Sequence, residues 1–288
     1  VTGVWLGLGA ALSWGFADYL AQPATRRLGT VRAAFYAQLI GLVLLFPLVL
    51  LTQPVIFPAG AENWLWIVVT GLLGGAGNLA FYRAAKLGNL AVVAPIMGSY
   101  GAVTTLLAWG WGEHLSARVT LGLLLALGSV VLVSIPARQA RARALPQQVQ
   151  GLVWALVSAL VVGTCFFVMG HELTPRIGGT LTTWWTRVVG LSLNLLILLF
   201  TRQAPALGKV PATSLLAPGL SGILSMSAVL LTALGLGRGE DAVVTVLGSM
   251  SIVITTLLAL FIVRERLTGV QWVGVTLALL SVLLIGLK

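Results

Sequence analysis

Residues 91–108 and 242–259 carry the same words in the same order: Ala91-Val92-Val93 recurs as Ala242-Val243-Val244, and Thr104-Thr105-Leu106-Leu107-Ala108 as Thr255-Thr256-Leu257-Leu258-Ala259. A shift of about 150 residues extends the match along the whole chain. Val4-Trp5 falls on Val153-Trp154, Arg27 and Gly29 on Arg176 and Gly178, and Phe35, Tyr36 and Gly41 on Trp184, Trp185 and Gly190. Gly71 and Gly88 fall on Gly222 and Gly239, and Glu113-His114-Leu115-Ser116 on Glu265-Arg266-Leu267-Thr268. One structural unit is written twice, so the fold must be assembled from two like halves.

The solvent of that fold follows from composition. With 58% hydrophobic and 8% charged residues and a mean hydropathy of +1.03, the chain has too little polar surface to coat a water-soluble globule. Its apolar runs, broken at charged, Gly-rich or Pro-rich clusters, number ten: 3–22, 31–52, 62–83, 89–110, 117–136, 150–171, 179–201, 213–236, 241–262 and 268–287. Each is about the 20 residues that an α-helix needs to cross a bilayer. The first reads as a full span rather than a signal peptide. None alternates apolar with polar residues as a membrane β-barrel strand does. Five spans per unit is an odd number, which turns the second unit over in the membrane. The expected fold is an all-α integral membrane protein of ten transmembrane helices, two inverted five-helix repeats around a central cavity. The repeats are residues 1–137 and 150–288, and 138–149 is a basic connector. Inverted repeats recur in secondary transporters, with substrate at the repeat interface near the bilayer midplane.

The net charge of +10 is sorted by side instead of gathered into a basic domain, which argues against nucleic acid as a partner. Twelve of the 17 positive residues fall on one face: Arg26, Arg27, Arg32, Arg83, Lys86, Arg138, Arg141, Arg143, Arg202, Lys209, Arg264 and Arg266. Arg118, Arg176, Arg238 and Lys288 fall on the other, with Arg187 inside a span. Positive loops stay in the cytoplasm, which places the connector 137–149 there and both termini outside an inner membrane. Anionic lipid head groups are the expected partners of the basic face, at about 1 kcal/mol per surface residue.

Ten spans in two units, Ser13-Trp14-Gly15 in the first helix, and Glu113-His114-Leu115-Ser116 and Glu265-Arg266-Leu267-Thr268 before the last helix of each unit resemble the EamA branch of the drug/metabolite transporter superfamily. The resemblance covers nearly the whole chain. It implies a proton-linked or facilitative exporter of small metabolites, often amino acids. It also implies a central cavity bordered by the first, third and fourth helices and their mates, the sixth, eighth and ninth. Members of the family are drawn with cytoplasmic termini, opposite to the charge distribution, and the charge distribution is followed here.

No Walker A sequence occurs, so ATP is not the expected fuel, and Gly235, Gly237 and Gly239 lie at a span end with no strand before them. No cofactor is expected. The single cysteine, Cys165, rules out an internal disulfide and a cysteine metal cluster. Asp18, one helical turn past Trp14 and about one turn from the end of its span, is the candidate proton or substrate-amine site, against an interfacial pairing with Arg26 or Arg27. Arg187, behind Trp184 and Trp185, competes between a side chain snorkelling outward and a gate or substrate-carboxylate contact, with Trp185 as the accompanying gate residue. His171 and Glu172 read as a polar helix end, and Glu113 and Glu265 as helix-start residues ahead of capping hydroxyls. Gly71, Gly75, Asn78 and Tyr82 form one stripe of the third helix.

Pro95, Met97, Gly98, Ser99, Tyr100 and Gly101 interrupt the fourth helix near mid-span, and Gly248, Ser249, Met250 and Ser251 answer them in the ninth. Two interruptions at the same depth point to a binding site, although small residues also serve as packing glue. The expected substrate site is therefore Trp14, Asn78, Tyr82, Met97, Ser99, Tyr100, Ser249 and Ser251, an aromatic wall with a few hydrogen-bonding groups. It suits a small amphipathic metabolite, an amino acid or similar, moved by alternating access and exported. An importer of a small organic cation such as choline, a lipid flippase, and an intramembrane enzyme are the alternatives. The last lacks a nucleophile with a plausible base, so the chain is expected not to be an enzyme.

Overall fold

The computed structural model describes residues 2–112, 116–135, 145–201, 211–236, 251–264 and 267–286. The first repeat contains α1 (Thr2–Leu28), α2 (Thr30–Thr52), α3 (Ala61–Leu87), a fourth span made of α4 (Leu90–Gly98) and α5 (Tyr100–Gly110), and α6 (Ala117–Ser134). The second contains α7 (Leu145–Val168), a π turn (Met169–Leu173), α8 (Thr174–Ile177), α9 (Gly179–Phe200), α10 (Ala212–Leu236), α11 (Ser251–Phe261) and α12 (Gly269–Gly286). Thr30–Thr52, Ala61–Leu87, Leu90–Gly110, Pro146–Ile177 and Gly179–Phe200 are each long and apolar enough to cross a membrane, and shorter apolar stretches lie in α6, α10, α11 and α12. Leu51 and Phe200 are each 84% exposed and Phe261 77%, a degree of apolar exposure that only lipid accommodates. The chain is an all-helical membrane bundle of two five-span repeats.

The direction of the helices follows from their contacts. Gln22 of α1 donates to the Gly88 carbonyl beyond α3, so those two helices end on the same face. Cys165 donates to the Thr70 carbonyl, while a Cβ at Gly151 would lie 2.8 Å from Gly88, so α7 runs against α3. It therefore runs against its own repeat mate α1, and the repeats are inverted.

Several close contacts between the repeats have a twin. Thr255 of α11 donates both to Gly15 in α1, at 3.1 Å, and to Ser251 in its own helix, at 3.0 Å. Thr104 of α5 donates both to Gly163 in α7, at 2.9 Å, and to Tyr100, at 3.1 Å. A Cβ on Gly15 would meet the Ile254 Cβ at 2.6 Å, and one on Gly163 would meet the Val103 Cβ at 2.6 Å. Gly71 against Val189 of α9 is likewise answered by Gly222 against Ala37 of α2. Without apolar solvation to drive association in lipid, such backbone approaches and interhelical hydrogen bonds hold the bundle together.

The two repeats also turn corners alike. Gly29 (φ 83°) precedes α2 and Gly178 (φ 78°) precedes α9, a backbone region closed to side-chain-bearing residues. The offset between the copies is 148 at Gly15/Gly163 and at Ala17/Cys165, and 149 at Gly29/Gly178. The π turn at Met169–Leu173 absorbs the extra residue. This corrects the pairing of Val4-Trp5 with Val153-Trp154, which is one residue out of structural register.

Three boundaries differ from the sequence reading. The first span runs on to Leu28, through Pro23, because Gln22 and Thr25 are buried at the end of the bundle. The fourth breaks at Ser99, whose N–H turns to the Ile96 carbonyl three residues back, at 3.1 Å, tightening the ladder between α4 and α5. Of the ninth run, 241–250 lies outside the described residues. At α12 the Thr268 hydroxyl accepts from the Gln271 N–H while Gln271 accepts from the Thr268 N–H, a capping box that fulfils the capping role expected of Thr268. Glu113 and Glu265 lie outside the described residues.

Gly15→Ala and Gly163→Ala are each expected to destabilise the bundle by about 1–3 kcal/mol through overpacking at twin sites. Gly128→Ala, where an added Cβ meets nothing within 4 Å, should cost nothing. Unfolding midpoints in detergent micelles check the comparison, and a harmless Gly163→Ala would contradict the twin arrangement.

Candidate functional site

A seam of polar side chains runs through the middle of the bundle, contributed by α1, α2, α3, α9 and α10. On α1 the exposed residues Trp5, Leu12 and Phe16 mark the lipid face. At 100° per residue, Trp14 and Asp18 project from the opposite side, toward the interior. Both are nevertheless only half-buried. Asp18 stands ten residues from the end of α1, nearly three turns inside the helix. This corrects the expected depth of one turn. The alternative pairing with Arg26 or Arg27 is not formed: both are exposed, and Arg27 reaches the Thr213 carbonyl instead. Among the described residues the Asp18 carboxylate has no hydrogen-bond or ion-pair partner.

Ser221 of α10 sits at the same level, donating to the Ala17 carbonyl at 2.9 Å and lying 3.3 Å from the buried Tyr82 hydroxyl of α3. One turn further along α10, the Ser225 hydroxyl receives a hydrogen bond from Arg187 at 3.0 Å. Arg187 does not snorkel. On α9 the exposed residues Ser192, Leu195, Leu196 and Leu199 face lipid, and Arg187 lies on the other side of the helix with Gly190 and Asn194. Its guanidinium is 3.2 Å from where a Gly41 Cβ would be. Tyr82 lies within Coulombic range of both Asp18 and Arg187. Gln38 of α2 donates to Asn78 of α3 at 3.4 Å, and its Oε1 is buried without a partner.

The stripe Gly71, Gly75, Asn78 and Tyr82 thus does two jobs. Its glycines let α9 close in, with a Gly75 Cβ meeting Gly190 at 2.9 Å, and its polar end joins the seam. Tyr100 is half-buried, stacked on Phe166 with ring centroids 5.3 Å apart, and within Coulombic range of Asp18. Met97 packs against the main apolar core. Ser99 bonds its own helix at Ile96 and faces away from the seam, toward α6 and α12, where it helps line a cavity of about 10 Å³. That is room for a single water. Ser251 lends its carbonyl to Thr255. Ser249 lies outside the described residues.

Trp185 is not part of the seam. Its indole donates to the Ile56 carbonyl at 2.9 Å and packs on Trp64 and Phe57, strapping the α2–α3 loop to α9 on the face opposite the basic residues. Beside it Arg176 joins Glu62 of the first repeat, at 2.8 Å, to Glu172 of the second, at 3.1 Å. The hydrogen bond to Glu172, then the contacts with Glu62, push the guanidinium pKa up, so this exposed brace stays charged. His171 caps its own helix at the Phe167 carbonyl.

Sequence reasoning missed Gln38, Ser221 and Ser225. The repeat held the signal for the first, since Gln38 is the mate of Arg187 at the same offset that relates Gly41 to Gly190.

The family model for EamA-like transporters matches residues 1–135 and 149–287, one range for each repeat. The chain belongs to the EamA-like transporter family. It is therefore a multi-pass membrane transporter of the drug/metabolite type. No curated protein matches its sequence. A solved crystal structure, described only as that of a protein, superposes over 98% of this chain and 95% of the other with a TM-score of 0.65 at 18% identity, a likeness of fold.

Ser221→Ala in this EamA-like transporter is expected to cost about 1 kcal/mol, because the hydroxyl ties α10 to both α1 and α3. Ser227→Ala should be near neutral, since that hydroxyl bonds only its own helix at Ile223. Equal unfolding midpoints for the two variants would remove Ser221 from the interhelical seam.

Proposed function

We propose that this protein is a proton-linked secondary transporter that moves a small amphipathic metabolite, an amino acid or similar, out of the cell by alternating access. The observation that carries the reading is Asp18: a half-buried carboxylate on the inner face of a spanning helix, near Trp14, Tyr82 and Tyr100, with no hydrogen-bond or ion-pair partner among the described residues. A charge so placed is costly to keep unless it takes up and releases a proton or a cationic group during a cycle. The aromatic side chains supply the apolar wall, and Asn78, Ser221 and Ser225 the few polar contacts usual for a small-molecule site. Export follows the family resemblance. The basic face is assigned to the cytoplasm on its positive charge, which leaves both termini outside and sets anionic head groups against Arg26, Arg83 and Lys86.

The inverted repeats supply the motion. At the basic face the repeats meet backbone to backbone, Gly88 against Gly151, above the fully buried Ala85, Leu90, Ala91 and Ala259. When the halves exchange conformations, the Gly88 closure opens and an equivalent closure on the opposite face forms, so the seam faces one side at a time. The second reading, import of an organic cation, draws on the same carboxylate and aromatic wall. Uptake against efflux of labelled choline in vesicles of known orientation separates the two.

Two outcomes are expected in proteoliposomes. Asp18→Asn should retain exchange of substrate across the membrane but lose the response to an imposed pH gradient; an undiminished response would remove Asp18 from coupling. Gly151→Leu, whose Cβ would already lie 2.8 Å from the Gly88 backbone, should keep this face from closing and stop transport. Full transport by Gly151→Leu would exclude closure at this face from the cycle.

A further inference from the structure

Asn194 of α9 is fully buried, at 0% exposure, yet neither its amide nitrogen nor its amide oxygen has a hydrogen-bond partner. Buried polar groups are nearly always paired, because an amide taken out of water without a partner costs free energy. Packing does not require the amide. The offset that relates Gly41 to Gly190 makes Leu45 the repeat mate of Asn194, and Leu45 is as enclosed, 2% exposed, in an apolar cluster with Val49, Leu181 and Met226. An aliphatic side chain fills that niche in the first repeat. The amide in the second serves something else.

Two more orphaned groups lie in the same half of the bundle. Asn194 stands six residues before the end of α9 at Phe200, toward the basic face, where α2 begins. In that part of α2 the Arg32 Nε and the Gln38 Oε1 are also buried without partners. All three belong to the state in which the basic face is closed, Gly88 against Gly151. Their partners follow from the inverted repeat. When the halves exchange conformations, each residue takes the surroundings that its mate has now. Leu45 shares its cluster with Leu181 and Met226, and Val229 packs against it. The mates of these three are Arg32, Gly75 and Asn78. Opening of the basic face thus brings Asn194 among Arg32 and Asn78, where the guanidinium donates, the Asn78 amide both donates and accepts, and Gly75 adds no side chain in the way. Asn78 is held meanwhile by Gln38 alone at 3.4 Å, a long bond that is readily exchanged.

Resting on the alternating-access reading above, we propose that Asn194 is a state-selective hydrogen-bonding residue: unpaired while the basic face is closed, it joins Arg32 and Asn78 when that face opens. It disfavours the closed state and favours the open one, which keeps the frame from resting with this face shut. It is a positioning residue, acting on the equilibrium between states and touching no substrate. A polar residue kept only for structure behaves in the opposite way, since its loss destabilises the protein.

The test is Asn194→Leu, which copies Leu45 and keeps the number of side-chain heavy atoms. Stability is read from unfolding midpoints of the full-length protein in detergent micelles. Opening is read from the rate at which a maleimide modifies Ala91→Cys, a fully buried position at the basic-face closure, in a Cys165→Ser background. Asn194→Leu should raise the midpoint, because an apolar group of similar shape replaces an unsatisfied amide, and should slow labelling roughly tenfold, the population shift that one net hydrogen bond carries. Arg32→Leu, which copies Leu181, removes a partner met only in the open state and should slow labelling as well. Ser192→Ala, on the lipid face of α9 and bonded only to Val188 of its own helix, should change neither quantity. A folded Asn194→Leu variant with a lower midpoint, or one labelled as fast as the parent, overturns the proposal. If Asn194→Leu does not fold, Asn194→Val and Arg32→Leu are read for labelling alone, and an unchanged rate in either overturns it. A parent protein never labelled at Ala91→Cys would reject the alternating-access reading itself, and the proposal with it. A parent that opens and responds to Asn194→Leu as expected but shows no counterflow of any labelled metabolite in proteoliposomes would reject transport and leave the role of Asn194 standing.

Discussion

Backbone contact at glycine is the constraint on which this bundle depends. Lipid tails solvate apolar side chains as well as other side chains do, so helices associate only where they fit closely enough to gain dispersion and interhelical hydrogen bonds. Gly15 and Gly163 permit that fit at the two junctions where each repeat grips the other, and Thr255 and Thr104 add a hydroxyl that reaches across to the glycine carbonyl. Because the two junctions are copies, the inverted arrangement is set twice by the same chemistry. A Cβ at either position would collide with a β-branched side chain that is itself stiff, so neither junction can relax cheaply.

The polar seam exists because of those junctions. They hold α1 against α10 and α11, and α7 against α3 and α5, which leaves the inner faces of α1, α3, α9 and α10 turned toward one another with short side chains between them. Ser221 and Ser225 are small enough to sit at that crossing and still reach their partners. Tyr82 is inserted there within Coulombic range of both Asp18 and Arg187, and among the described residues these two charges form no ion pair with each other.

Much of the architecture was legible in the sequence because membrane physics leaves few choices. Span number came from apolar length, inversion from an odd count, and the glycine stripe of α3 from a helical period. Residue depth was harder. Asp18 was placed one turn from a helix end because the apolar run fades at Gln22, yet Gln22 and Thr25 are buried by neighbouring helices and the span continues past them. Arg187 was given an outward path on the length of its side chain, whereas the direction of a side chain depends on which face its helix presents, and that is fixed by partners remote in sequence. Ser99 illustrates the same limit: proximity to the break at Pro95 was read correctly, but the hydroxyl turns back to its own helix and toward α6 and α12.

The two copies of the repeat can be compared position by position, and they differ in a patterned way. At five positions that set close approach, corners or the interhelical hydroxyl bond, both copies keep the same residue: Gly15 and Gly163, Gly29 and Gly178, Gly41 and Gly190, Gly71 and Gly222, Thr104 and Thr255. Where the seam is polar or aromatic they part company: Asp18 answers to Phe166, Asn78 to Val229, Tyr82 to Ala233, Tyr100 to Ser251 and Arg187 to Gln38. A duplicated frame needs symmetry to rock between two equivalent states, since each closure must have a counterpart on the other face. A guest without such symmetry imposes no matched pair of contacts, so the altered positions escape the constraint that keeps the packing glycines and threonines alike in the two copies.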